Sequence, residues 1–231
     1  MNYIPNIITC LNLLFGCIAS VTSLESGNYK KASIFIILAC FCDFLDGLFA
    51  SLLRVKSKLG VELDSLADIV SFGFAPSCFV YTFLKSISNS IIIPYFAFLL
   101  VIFSALRLAR FNIDMVRNNT FFCGLPVPSS ALFWIGFVTF FNSCYYNCIS
   151  IVILTILLVF IFCFLMISSL HMISFKFKNL KWRDNFYSYA LIIISVIFYV
   201  LCLILGISPL GISLIIIIYI ILSVIKNIKT F

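Results

Sequence analysis

Charge is what this sequence has least of. Only 10% of its 231 residues are Asp, Glu, Lys or Arg, against about 25% in an ordinary soluble domain. With 64% hydrophobic residues, the chain has too little polar surface to wrap a sizeable water-soluble domain. Histidine occurs once, at His171. That excludes a histidine-based metal centre, and the lone ring at the end of an apolar span reads as interfacial. The ten cysteines include no Cys-x-x-Cys pair, which excludes the common zinc and dithiol motifs. Most sit inside apolar runs and read as small hydrophobes. Cys144 and Cys148, which flank a short loop, are the one pair spaced to bridge. Neither a soluble linker nor a low-complexity tail nor a clear repeat interrupts the chain.

Apolar length is what the sequence has in excess. Eight segments, at 4–23, 32–53, 65–84, 91–109, 126–142, 149–168, 188–205 and 208–225, approach the roughly 20 residues needed to cross a bilayer. Turn signals separate them, as at Ser26-Gly27-Asn28 and Ser208-Pro209. The expectation is an all-α polytopic membrane protein of about eight transmembrane helices, forming one domain over residues 1–231. The first segment has no basic leader and no small-residue cleavage site, so it reads as a retained helix. The 27 phenylalanines read as lipid-facing bulk.

The net charge of +7 does not point to nucleic acid, because the basic residues lie in short loops between spans, as topology determinants do. If the 54–58 loop is cytoplasmic, twelve Lys and Arg fall on that side and only Lys30, Lys31 and Lys85 on the other. Both termini are then cytoplasmic. The basic, aromatic loop from Phe175 to Asp184 joins that side as a headgroup anchor.

Against this background the stretch from Asp43 to Asp68 stands out. It holds five of the eight acidic residues: Asp43, Asp46, Glu62, Asp64 and Asp68. Asp43 and Asp46 are three apart and Asp64 and Asp68 four apart, so each pair shares a helix face. The simplest geometry is two antiparallel helices that bring the pairs together. Carboxylates so close repel one another unless a cation holds them, and a divalent metal is the natural partner of carboxylate oxygen. A cation transporter also uses carboxylates within a membrane, but it leaves the neighbouring Gly47, Ala50 and Gly60 unexplained. Small residues there admit a substrate or a neighbouring backbone.

The pattern Asp43-x2-Asp46-Gly47-x2-Ala50-x9-Gly60-x3-Asp64-x3-Asp68 resembles the signature of the CDP-alcohol phosphatidyltransferases. One position departs: the family has Arg after the Ala, and this chain has Ser51, with Arg54 three residues on. The resemblance implies two divalent cations, Mg²⁺ or Mn²⁺, held by Asp43, Asp46, Asp64 and Asp68, with Asp68 as general base. It also implies a CDP-linked lipid packed against Gly47, Ala50, Ser51, Arg54 and Gly60, and a homodimer. Asn6, Thr9 and Asn12 form a polar stripe on the first span. It reads either as interhelical hydrogen bonding or, by the resemblance, as a wall of the nucleotide pocket supplied by Asn6 and Thr9.

Two further stretches narrow the resemblance. Ser71-Phe72-Gly73-Phe74-Ala75-Pro76 opens the third span, where Ser71, Gly73 and Pro76 are expected to loosen or kink the helix. Arg107-Leu108-Ala109-Arg110-Phe111-Asn112 is followed by Gly124-Leu125-Pro126-Val127-Pro128. Two arginines three apart at a span end serve either as snorkelling anchors or as anion-binding forks. Both stretches resemble the membrane-embedded phosphatidylserine synthase branch. That branch implies transfer of phosphatidyl from CDP-diacylglycerol to L-serine, with Arg107, Arg110 and Asn112 near the serine. It further implies a bacterial cytoplasmic membrane with the site facing the cytoplasm. Glycerol-3-phosphate, inositol phosphate and choline are the alternative acceptors within the family.

Overall fold

A computed structural model describes residues 3–53, 57–116, 124–143, 149–173 and 186–230. These form nine α-helices: α1 Tyr3–Ser26, α2 Tyr29–Leu52, α3 Lys58–Asp68, α4 Ala75–Ile87, α5 Leu99–Val116, α6 Val127–Ser143, α7 Ile149–Ile167, α8 Phe186–Ile204 and α9 Ser208–Thr230. A π-helical stretch, Ile69–Phe74, joins α3 to α4, and a 3₁₀ stretch, Ile93–Phe98, leads into α5. Arg54, Arg117, the Cys144–Cys148 pair and the basic loop from Phe175 to Asp184 lie outside the described residues.

Among the described residues, six helical segments are long and apolar enough to cross a membrane: Tyr3–Ser26, Tyr29–Leu52, Leu59–Ile87, Ile93–Asp114, Ile149–Ile167 and Ser208–Ile228. Two of the eight anticipated spans fall short of that measure. α6 has 17 residues, and the apolar part of α8 is Ile193–Ile204.

The helices are patterned for lipid. α1 buries Pro5, Thr9, Asn12, Gly16, Ala19, Ser20 and Ser23 and exposes Ile4, Ile7, Leu11 and Leu14. Small and polar residues face the bundle while large aliphatic ones face out, which is how membrane helices achieve close approach without a hydrophobic driving force. The same face of α2 carries Ala32, Ile36, Ala39, Cys42 and Asp46. α1 ends at Gly27, whose φ of 57° suits glycine. Asn28 then caps α2 by accepting from the Lys31 amide at 3.1 Å.

α1 packs along α2 and also against α3 and α4. α2 and α3 do not pack along each other; α1 is the support they share, which corrects the expectation of a simple antiparallel pair. α5 packs on α7, α6 on α2 and α9, and α8 on α9. The phenylalanines are not simply lipid-facing bulk. Phe133, Trp134, Phe137 and Phe162 form a buried aromatic core between α6 and α7, with Phe133 and Phe162 stacked at 4.2 Å. Phe72, Phe79 and Phe83 are also buried, whereas Phe41, Phe44 and Phe164 are exposed.

Candidate active site

The aspartates converge. One carboxylate oxygen from each of Asp43, Asp64 and Asp68 lies within 4.8 Å of the other two. α2 supplies the first and α3 the others. Ser57 fixes the start of α3, its hydroxyl accepting from the Gly60 amide at 3.0 Å. Asp46 stands beside this trio rather than within it. It is buried and accepts a 2.6 Å hydrogen bond from Thr9 Oγ1 of α1. Asn12, one turn further along α1, donates from Nδ2 to Asp68 Oδ1 at 3.4 Å. The polar stripe on α1 thus makes interhelical hydrogen bonds at two of its three positions.

Two acceptor atoms at this site are left over. Asp64 Oδ1 and Asn12 Oδ1 are buried without a hydrogen-bond partner. A buried carboxylate oxygen with no donor costs free energy. Three carboxylates within contact distance add mutual repulsion. An all-oxygen donor set of high negative charge fits a hard divalent cation such as Mg²⁺ or Mn²⁺, and the orphaned Asp64 oxygen is the atom such an ion would satisfy.

The small residues divide into two kinds. A Cβ added at Gly47 would meet nothing within 4 Å, so Gly47 faces open space beside the carboxylates. A Cβ at Gly60 would come within 3.1 Å of Asn6 Oδ1 and 2.9 Å of Ser57 Oγ, so Gly60 lets α3 approach α1. Ala50 is half-buried and Ser51 exposed, both on the last turns of α2. Gly16 was not anticipated. A side chain there would collide with the backbone of Ser71, and Ser71 Oγ donates to the Asn12 carbonyl at 2.9 Å. Its signal was in the sequence: Gly16 extends the Asn6, Thr9, Asn12 stripe by one turn. The loosening expected from Ser71, Gly73 and Pro76 takes the form of the π-helical stretch, where the Ala75 amide reaches back five residues to the Val70 carbonyl.

α5 closes the site from another side. Asn112 Nδ2 donates to Ser65 Oγ at 2.9 Å, which ties α5 to the helix carrying Asp64 and Asp68. Arg107 is within electrostatic reach of Asp68 and Tyr219, and its guanidinium lies 5.3 Å from the Phe111 ring centre. Its Nε is buried and has no acceptor. Arg110 is exposed and donates to the Ile167 carbonyl at 3.0 Å, at the C-terminus of α7, where a cation is favoured. Arg107 and Arg110 therefore differ: the first has an unused buried donor and lies within electrostatic reach of Asp68, and the second caps a helix. Gly124, with φ of 78°, packs against the Met166 carbonyl and donates to Leu170 O at 2.9 Å, so the Gly-Leu-Pro-Val-Pro stretch anchors the end of α7.

This is a helical membrane protein with a buried acidic site at one end of its bundle. The profile of the CDP-alcohol phosphatidyltransferase family matches residues 2–225, and the chain belongs to that family. It is similar to a protein of Helicobacter pylori named CDP-diacylglycerol--serine O-phosphatidyltransferase, 32% identical over 198 residues that cover 84% of this chain and 81% of the relative. Proteins of the same name from Bacillus subtilis and Methanocaldococcus jannaschii are 38% and 36% identical. The matches cover 57% and 68% of this chain and 73% and 70% of those relatives. The chain is thus a membrane-associated enzyme of CDP-alcohol phosphotransfer, with an acidic cluster suited to a divalent cation.

Proposed function

We propose that the enzyme transfers the phosphatidyl group of CDP-diacylglycerol to the hydroxyl of L-serine, giving phosphatidylserine and CMP. The convergence of Asp43, Asp64 and Asp68 carries this reading, and the relatives' shared name supports serine as the acceptor. In the reaction the serine oxygen attacks the phosphatidyl phosphorus, the bond from that phosphorus to the CMP oxygen breaks, and the serine proton must leave. Asp68 takes that proton. Asn12 holds the Asp68 carboxylate from one side, and Arg107 lies within its field.

Asp43, Asp64 and Asp68, with Asp46 alongside, would hold two divalent cations. When bound, these neutralise the charge that develops on the diphosphate oxygens as the bond breaks. Thr9 fixes Asp46 against α1. The open space beside Gly47, followed by Ala50 and Ser51 on the last turns of α2, receives the CMP group, with Asn6, Arg54 and Gly60 assigned to the same pocket by the family pattern. The buried, unpaired Nε of Arg107 supports a role in holding the serine carboxylate, where a guanidinium forms strong charge-assisted bonds. Arg110 and Asn112 frame that side. The excess of Lys and Arg on one side of the spans in the sequence supports a cytoplasmic site and cytoplasmic termini. A homodimer in a bacterial cytoplasmic membrane completes the reading.

The test is CMP release by the purified protein from CDP-diacylglycerol, with Mn²⁺ or Mg²⁺ and with serine, glycerol-3-phosphate, inositol phosphate or choline in turn. Release that requires serine and a divalent cation is expected. Release with another acceptor alone would move the substrate and keep the chemistry.

A further inference from the structure

The proposed chemistry leaves the opposite end of the bundle unused. Where α2 begins, α6 and α8 end and α9 begins, there is a cleft of about 170 Å³. Its walls are apolar, formed by Ile135, Pro209 and Ile212. Its polar groups come from different helices and fall into two sets. Ser33 and Thr139 are used by the fold. Ser33 Oγ donates to the Tyr29 carbonyl at 2.7 Å, and Thr139 Oγ1 lies 3.2 Å from Ser33 Oγ. A hydroxyl has one proton, so Thr139 is the donor of that pair.

The second set is Lys30 from α2, Tyr199 from α8 and Ser208 from α9. None of these three side chains has a hydrogen-bond partner among the described residues. They offer an ammonium and two hydroxyl donors to one cleft that, among the described residues, no carboxylate lines. Converging donors with a net positive charge select an oxyanion. Apolar walls at the ends of membrane-length helices select an anion that carries an apolar body. A free inorganic anion gains nothing from those walls.

We propose that this cleft binds the phosphate headgroup of an anionic phospholipid from the leaflet opposite the carboxylate cluster. Lys30, Tyr199 and Ser208 hold the phosphate oxygens, and the acyl chains leave the cleft past the partly exposed Pro209 and Ile212. The site stands apart from the catalytic end, so it does not depend on which acceptor the enzyme uses.

Native mass spectrometry of the full-length protein, released from detergent with added phosphatidylglycerol, tests it. One phosphatidylglycerol is expected to be retained, and diacylglycerol with the same tails is not. Lys30→Ala, and separately the Tyr199→Phe/Ser208→Ala double variant, should each lower retention by roughly fivefold, the scale of a charge-assisted contact at a partly exposed site. Lys31→Ala is the control: Lys31 is exposed, adjacent and outside the cleft, and its loss should leave retention unchanged. Equal losses in Lys30→Ala and Lys31→Ala would overturn the site in favour of diffuse surface charge. Displacement of the lipid by inorganic phosphate, or equal retention of diacylglycerol, would overturn the phospholipid assignment. Retention is read without turnover, so an absence of CMP release from the same preparation would count against the proposed reaction and not against this site.

Discussion

The two ends of the bundle solve the same problem in opposite ways. Both must place polar groups between closely packed helices. Apart from Lys30, Tyr199 and Ser208 at the cleft, the far-end groups are hydroxyls that satisfy one another: Ser23 with Thr82 and Ser33 with Thr139, each at 3.2 Å. At the near end they are carboxylates, and they do not. Asp43, Asp64 and Asp68 crowd within 4.8 Å, while Asp64 Oδ1 and Asn12 Oδ1 have no donor. Hydroxyl pairs can donate and accept, so they brace helices without help. Ionised carboxylates only accept, so a cluster of them is incomplete until a cation arrives. The hydroxyl pairs are built for stability and the carboxylate cluster for a cation.

Substitutions can break that contrast. The largest effect is expected at Asp68. Asp68→Asn keeps the shape but cannot take a proton, and CMP release should fall by about 10³-fold, within the range for a positioned general base. Chelation with EDTA should abolish release in the wild type, and added Mn²⁺ or Mg²⁺ should restore it. Arg107→Ala comes next. Loss of a buried charge-assisted contact, about 1.5–3 kcal/mol, should raise the serine KM by roughly 10- to 100-fold. Arg110→Ala, which removes a helix cap, should lower thermal stability with little change in that KM. An unchanged serine KM in both variants would remove the arginines from the acceptor site.

Thr9→Val sharpens the comparison further. It turns the hydroxyl that serves Asp46 into an isosteric hydrocarbon. The Mn²⁺ concentration needed for half-maximal CMP release should rise about tenfold, as for other groups that orient metal ligands. The smallest effect on stability is expected at Gly47. Gly47→Ala meets open space and should stabilise α2 by up to about 1 kcal/mol while impairing CDP-diacylglycerol turnover. Gly16→Ala should do the reverse by forcing α1 off Ser71, which would appear as a lower melting temperature. If Gly47→Ala leaves turnover unchanged, the open space beside it is not where the nucleotide lies.

Much of the near end was legible in the sequence because its logic is periodic. The spacings of Asp43, Asp64 and Asp68, and of Thr9 and Asn12, put each residue on a predictable face. Short-range periodicity then implied convergence once two apolar segments were folded together. What spacing cannot say is which helix lies between which. The role of α1 as common support for α2 and α3 depends on Gly16 meeting Ser71, a contact between residues 55 positions apart. For the same reason the four aspartates looked equivalent, although Asp46 is set aside by Thr9. The arginines also looked alike from their spacing, and only packing assigns Arg110 to the end of α7. Phenylalanine burial was illegible because lipid and a protein core are equally apolar.

The π-helical stretch after Asp68 has a geometric consequence. In an α-helix each residue turns the chain by about 100°, so a face set at one end dictates the face at the other. Ile69–Phe74 breaks that dictation. Upstream, the helix aims Asp64 and Asp68 at the partner aspartate of α2. Downstream, it seats Phe79, Val80 and Phe83 in the core. The wide turn works as a gear between these two phases of one rod.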